Sequence, residues 1–188
     1  MLEHILEFDF KLFQLINIYW TNSVFDSVLP FLRNKYFWTP FYIFLFSYFI
    51  INFKKKGLLL ILIIILLIFV SDQLSSHVIK PFVGRLRPCN EILIKDYVRL
   101  LANCSSGFSF PSSHATNHFA LAFFLIVLFN KRYKWVFPVL FFWAFAISYS
   151  QVYVGVHYPL DILTGGFLGT IIGITFGMIP KNHLNLEI

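Results

Sequence analysis

Two histidines, a carboxylate and a set of cations fall in this chain at spacings that suit phosphoryl chemistry. His157 and Asp161 stand four apart in SQVYVGVHYPLD, at what reads as a helix start, so their side chains share a face. A carboxylate bonded to one imidazole nitrogen fixes the tautomer and leaves the other nitrogen as a nucleophile or base. The stretch KPFVGRLRP holds Lys80, Arg85 and Arg87 among Pro81, Gly84 and Pro88. Guanidinium offers a planar fork to phosphate oxygens, and lysine adds a point charge. In FPSSHATNHF, Pro111, Ser112 and Ser113 begin an apolar helix, and His114 lies in its first turn. Free N–H groups and the helix dipole make such a start an anion site.

Each feature also has a plainer explanation. A basic loop can simply touch lipid phosphates, a histidine at a helix start is commonly a capping or interfacial residue, and one His and Asp pair at this spacing is more often structural than catalytic. What favours chemistry is their convergence on one face of a membrane, which follows from how the rest of the chain must be arranged.

The chain has 188 residues, of which 58% are apolar and 13% charged, against roughly 45 to 50% and a quarter in soluble domains. A chain this small cannot hide so much apolar surface in its own core. Disorder, a secreted disulfide scaffold and a soluble enzyme are excluded, which leaves an all-α integral membrane protein of one domain over residues 1–188. The 25 phenylalanines fill lipid-facing positions rather than a stacking site. The net charge of +6 calls for no nucleic acid, since the basic residues sit at the edges of apolar runs.

Crossing the hydrocarbon takes about 20 apolar residues. The spacing predicts helices over Trp38 to Phe53, Gly57 to Ile79, Ser112 to Asn130, Tyr133 to Gln151 and Tyr158 to Ile179. Residues 1–35 interleave Glu3, Glu7, Asp9 and Lys11 with Leu and Phe, the pattern of an amphipathic helix lying in the interface. A short sixth span within this segment is the alternative, and its early acids do not suit a signal peptide. Lys54 to Lys56, then Lys131, Arg132 and Lys134, then Lys181 mark the cytoplasmic ends. The segment from Lys80 to Pro111 and the turn from Gln151 to Pro159 then face outward together. Asp72 and His77 fall near the outer end of the second span, where they serve either helix packing, the reading slightly favoured, or support of the site.

These motifs together resemble the type 2 phosphatidic acid phosphatase superfamily, which includes bacterial lipid phosphatases and soluble vanadium haloperoxidases. Its first motif, Lys, six residues, Arg-Pro, is matched by Lys80, Arg87 and Pro88. Its second, Pro-Ser-Gly-His, is matched by Pro111, Ser112 and His114, with Ser113 in place of Gly. Its third, Ser-Arg, five residues, His, three residues, Asp, is matched by Ser150, His157 and Asp161, with Gln151 in place of Arg. The resemblance covers about residues 57–179.

The resemblance implies metal-free and cofactor-free phosphoryl transfer, with His157 attacking phosphorus, Asp161 orienting it and His114 serving as acid and then base. Lys80, Arg87 and the donors of Ser112 and Ser113 would hold the phosphate. At Gln151 a charge is lost; either Arg85 supplies it or phosphate binds more weakly. The substrate would be an amphiphilic lipid phosphate: undecaprenyl diphosphate, phosphatidylglycerol phosphate, phosphatidate or lipid A phosphate. A phosphate-lipid transporter or flippase and a non-catalytic membrane scaffold are the rival readings, and the membrane spans speak against a haloperoxidase. The expected place is a bacterial inner membrane with the site on the periplasmic or outer face. Cys89 and Cys104, an even count confined to one outward loop, are expected to form a disulfide. Oligomeric state is not legible in the sequence.

Overall fold

The computed structural model describes residues 2–183, and every regular element among them is helical. The N-terminal segment forms two helices, α1 (Leu2–Gln14), prolonged by a π turn over Leu15–Tyr19, and α2 (Ser23–Leu32). The break between them has a local cause: the Asn22 side chain accepts the Phe25 N–H at 2.9 Å and so caps a new helix. The apolar helices follow as α3 (Thr39–Phe53), α4 (Lys55–Asp72), α6 (Ser113–Phe129), α7 (Val136–Tyr153) and α8 (Pro159–His183). Helix α4 continues through a π stretch, Gln73–Ile79, into the short α5 (Lys80–Val83). Among the described residues four apolar helical stretches are long enough to cross a bilayer, and Ser23–Leu32 and Ser113–Phe129 are shorter apolar helices.

The expectation of one amphipathic helix over residues 1–35 needs refinement. Helix α1 does not simply float in the interface. Phe13 and Ile16 are buried, and Phe13 packs against Tyr158, ring centroids 5.4 Å apart, at the start of α8. Asn17 is wholly buried and forms a clip: its amide donates to the Arg99 and Tyr153 carbonyls, each at 2.8 Å, and its carbonyl oxygen accepts the Arg99 N–H at 2.9 Å. One polar side chain thus ties α1 to the long loop and to the end of α7.

Helices α6 and α8 approach most closely, and the sequence provides for it. Gly165, Gly169 and Gly173 recur every four residues on one face of α8. A β-carbon at these positions would lie 2.5 Å from the Ser112 carbonyl oxygen, 2.2 Å from that of Thr116 and 2.3 Å from that of Ala120. Only hydrogen fits there, so the two backbones meet directly, as small residues permit between membrane helices. Both ends of the chemistry-bearing sequence, the start of α6 and the start of α8, are held in register by this contact. Farther along, Leu60, Ile64 and Leu67 of α4 pack with Ala120, Phe124 and Leu128 of α6 and with Ile172 of α8.

Candidate active site

The long loop between α5 and α6 is folded back on itself by polar ties that set the position of Arg87. The Ser109 N–H donates to the Arg85 carbonyl at 2.7 Å, Arg87 Nε to the Gly107 carbonyl at 3.0 Å, and Asn90 Nδ2 to the Ser105 carbonyl at 2.8 Å. Cys89 and Cys104 are joined as a disulfide at the base of the same fold. On the facing side, the turn after α7 passes through Gly155 at φ +86°, a conformation that glycine adopts without a steric penalty. The Gln151 carbonyl accepts the N–H groups of both Val156 and His157, at 3.1 and 3.2 Å, and so brings His157 back over the helix end.

His157 and Asp161 are 1% and 0% exposed. His157 Nδ1 lies 3.2 Å from Asp161 Oδ2 and 3.3 Å from Ser109 Oγ, and the Ser109 hydroxyl donates to the same carboxylate oxygen. The Tyr158 N–H also donates to Oδ2, at 2.8 Å. A carboxylate can only accept, so Nδ1 carries the imidazole proton and Nε2 carries the lone pair. That lone pair points at Arg87, whose Nη1 donates to Nε2 at 3.2 Å and to the Val156 carbonyl at 3.1 Å. Burial pushes the His157 imidazole down to about 4, with the nearby Arg87 and Lys80 charges adding to the shift and Asp161 opposing it. The ring is therefore neutral at physiological pH, as a nitrogen nucleophile must be.

The start of α6 faces this pair through a backbone bond, the Ser112 N–H donating to the Asp161 carbonyl at 3.0 Å. The Ser112 side chain accepts the Ala115 N–H at 3.4 Å, and its carbonyl accepts the Thr116 N–H at 3.0 Å. Ser112 is therefore the cap of α6, with its N–H, hydroxyl and carbonyl all engaged with the protein. The N–H groups that a helix start leaves open are then those of Ser113 and His114. The Ser113 hydroxyl pairs with Ser76 at 2.7 Å, tying α6 to the π stretch that leads into Lys80. One turn on, the His118 ring stacks on His114, centroids 6.3 Å apart, and its Nδ1–H donates to the His114 carbonyl at 2.8 Å.

Arg85, the residue expected to supply the charge missing at Gln151, is bonded to carboxylates of the protein. It donates to Asp161 Oδ1 at 2.9 Å and to Asp9 Oδ2 at 2.6 Å, and its guanidinium lies 3.8 Å from the centre of the Tyr158 ring. Two buried carboxylates have first claim on it, which leaves it a positioning residue. Asp9 is in turn 4% exposed and accepts the Leu160 N–H at 2.7 Å. Gln151 is wholly buried, with neither end of its amide bonded to protein. Asp72 is engaged by Asn117, 3.2 Å away, and by Ser76 at 3.4 Å, whereas the His77 ring is exposed. Among the described residues no three His, Cys, Asp or Glu side chains gather into a metal-binding group.

This constellation agrees with what the chain matches as a whole, since the profile of the PAP2 superfamily covers residues 56–183. The chain belongs to the PAP2 superfamily. It is 39% identical to the lipid A 4'-phosphatase of Bacteroides thetaiotaomicron over 157 residues, which are 82% of this chain and 69% of that protein. Its fold superposes on the crystal structure of Aquifex aeolicus LpxE with a TM-score of 0.65 at 34% identity, covering 89% of this chain and 93% of the other. A transmembrane PAP2 type phosphatidylglycerolphosphate phosphatase from Bacillus subtilis has the same fold, with a TM-score of 0.77 at 21% identity, and 98% and 90% of the two chains are covered. With its apolar helices, the chain is an integral membrane protein.

Asp9 and Ser109 join the motif residues without any signal in the motifs themselves. Asp9 was visible as an acid among apolar residues, but it read as the wet face of an amphipathic helix. Ser109 sits just before the second motif and carries no pattern of its own.

Proposed function

We propose that this protein hydrolyses the phosphate ester or diphosphate of an amphiphilic lipid through a phosphohistidine at His157. The observation that carries the proposal is the imidazole itself: Nδ1–H is held by Asp161 and Ser109, and the Nε2 lone pair is presented to the Arg87 guanidinium. A phosphoryl group entering between Nε2 and Arg87 would take over the Arg87 N–H groups, leaving Nε2 in line for attack.

In the first step Nε2 forms a bond to phosphorus as the P–O bond to the lipid breaks, and His114 gives its proton to the departing oxygen. In the second, His114 takes a proton from water as the water oxygen bonds to phosphorus and the P–N bond breaks. Arg87, Lys80 and the N–H groups of Ser113 and His114 hold the equatorial oxygens, whose charge must be stabilised throughout. Asp161 and Ser109 do not touch the substrate; they keep Nε2 unprotonated and aimed.

A lipid substrate suits a buried phosphate site at the end of apolar helices. The similarity to a lipid A 4'-phosphatase favours a phosphorylated glycolipid of that kind, acted on at the periplasmic face of a bacterial inner membrane. The Lys54 to Lys56 turn, at the opposite membrane end, supports that orientation. The test is phosphate release from a short-chain lipid phosphate by purified protein, with His157→Ala alongside. Release and acid-labile phosphoenzyme should both vanish in the variant, and turnover near the wild-type rate there would refute the mechanism.

A further inference from the structure

Arg33 follows α2 and has no place in any of the three motifs. Its Nε is shut off from solvent with no acceptor in the protein, an arrangement that a buried cation donor tolerates only when something else completes its bonding. Its position is not loose. The Leu32 carbonyl beside it accepts the Trp38 indole N–H at 2.7 Å, and Trp38 packs edge-on against Trp143 of α7 at 5.6 Å. At the other end of α2, the Tyr153 hydroxyl donates to Asp26 at 2.5 Å. Helix α2 and its following turn therefore run along α7 from Tyr153 toward Trp143, and the Trp143 ring packs on His118, centroids 5.2 Å apart, which stacks on His114, so the turn that carries Arg33 reaches the site from its His114 side.

Gln151 has the complementary defect, an amide that is fully buried and unbonded at both ends. Arg33 also lies within electrostatic reach of Arg87. Burial first, and then the Arg87 charge, push the Arg33 guanidinium below its usual range. Two cations held near each other mark a place that favours an anion. Arg85 is taken by Asp9 and Asp161, which removes the other arginine of the site.

We infer that Arg33 is a phosphate ligand of the reacting group, carrying from α2 the charge that Gln151 lacks on α7, with the Gln151 amide donating beside it. This rests on the phosphatase reading above. The guanidinium would take one equatorial oxygen from the side opposite Arg87, so that the phosphoryl group is clamped between two forks. The N-terminal helices thereby become part of the substrate site and not only its support.

The test uses full-length protein in detergent, with two readouts. Arg33→Met should lower kcat/KM on a short-chain lipid phosphate by about 10- to 100-fold, the range for losing a charge-assisted hydrogen bond. Arg33→Lys should recover part of the loss, and Gln151→Arg in the Arg33→Met background should recover more. Independently of turnover, inorganic phosphate should raise the melting temperature of the wild type and of His157→Ala but not that of Arg33→Met. Unchanged kcat/KM and unchanged phosphate stabilisation in Arg33→Met overturn the inference while leaving the phosphatase reading intact. Phosphate stabilisation that depends on Arg33 in a wild type that releases no phosphate does the reverse. Absence of both effects in the wild type removes both.

Discussion

Arg85→Met separates a positioning role from a substrate-binding one. The wild-type guanidinium, 18% exposed, neutralises two carboxylates that are 4% and 0% exposed, at 2.6 and 2.9 Å. Removing one partner of a buried ion pair costs about 3 to 5 kcal/mol. The lower end applies here. Asp161 keeps the Tyr158 N–H and the Ser109 hydroxyl, and Asp9 keeps the Leu160 N–H. Burial already pushes the Asp9 carboxyl up against the pull of Arg85, so without Arg85 it can shed its charge by taking up a proton. A loss of about 3 kcal/mol corresponds to a melting temperature lower by roughly 6 to 12 °C for a chain of this size. Loss of Arg85 also frees Asp161 to turn from His157, so kcat should fall with little change in KM. Asp9→Asn added to Arg85→Met should cost less than the sum of the two single changes, because each removes the other's partner. Thermal unfolding in detergent and steady-state kinetics give both quantities. An Arg85→Met protein with the wild-type melting temperature and a raised KM would show that Arg85 acts on the substrate and would refute this reasoning.

The other expectations concern pH, covalent closure and helix contact. With His157 held near 4, against about 6.5 for an unperturbed histidine, the nucleophile stays neutral through mild acid. Single-turnover phosphoenzyme formation should therefore persist at pH 5 and be lost as pH falls through about 4; a loss centred near 6.5 would contradict the burial argument. Reducing the Cys89 and Cys104 bridge, fifteen residues apart, should cost about 3 kcal/mol in the chain-entropy account and lower activity by loosening the loop that carries Arg87. Two free thiols in unreduced, denatured protein from its native membrane would argue against the bridge and the outward orientation together. Gly169→Leu would put a side chain where a β-carbon already meets the Thr116 carbonyl oxygen at 2.2 Å, so it should destabilise severely and abolish activity, whereas Leu163→Ala on the exposed face of the same helix should leave both nearly unchanged.

The membrane helices were legible because a span needs an unbroken apolar run, and such runs are local. The same holds for His157 with Asp161 and for Lys80 with Arg87, whose spacing along the chain carries the pattern. Arg85 was not legible, since both of its carboxylate partners lie 76 residues away, and nothing local distinguishes an arginine bound to phosphate from one bound to buried acids. Ser112 was half legible: its place at a helix start pointed to an anion site, but its own bonds are spent on capping α6, and the open N–H groups belong to the next two residues. The N-terminal segment was read as one helix because its apolar period runs on past Trp20, yet Thr21, Asn22 and Ser23 contain the capping signal that divides it. Arg33 carries no local pattern, and its unpaired Nε shows only in the fold.

The backbone contact between α6 and α8 bears on how this protein meets bilayers of different thickness. A change in hydrocarbon depth is absorbed by tilting or sliding of helices, and side chains packed through flexible contacts would let such motion reach the histidines. Here Gly165, Gly169 and Gly173 leave no compliant layer between the two backbones, so the helices that carry His114 and Asp161 tilt together as one beam. Strain from the surrounding lipid falls instead on α3 and α4, which meet that beam through ordinary side-chain packing. The geometry between the two helix starts is thereby decoupled from changes in bilayer thickness.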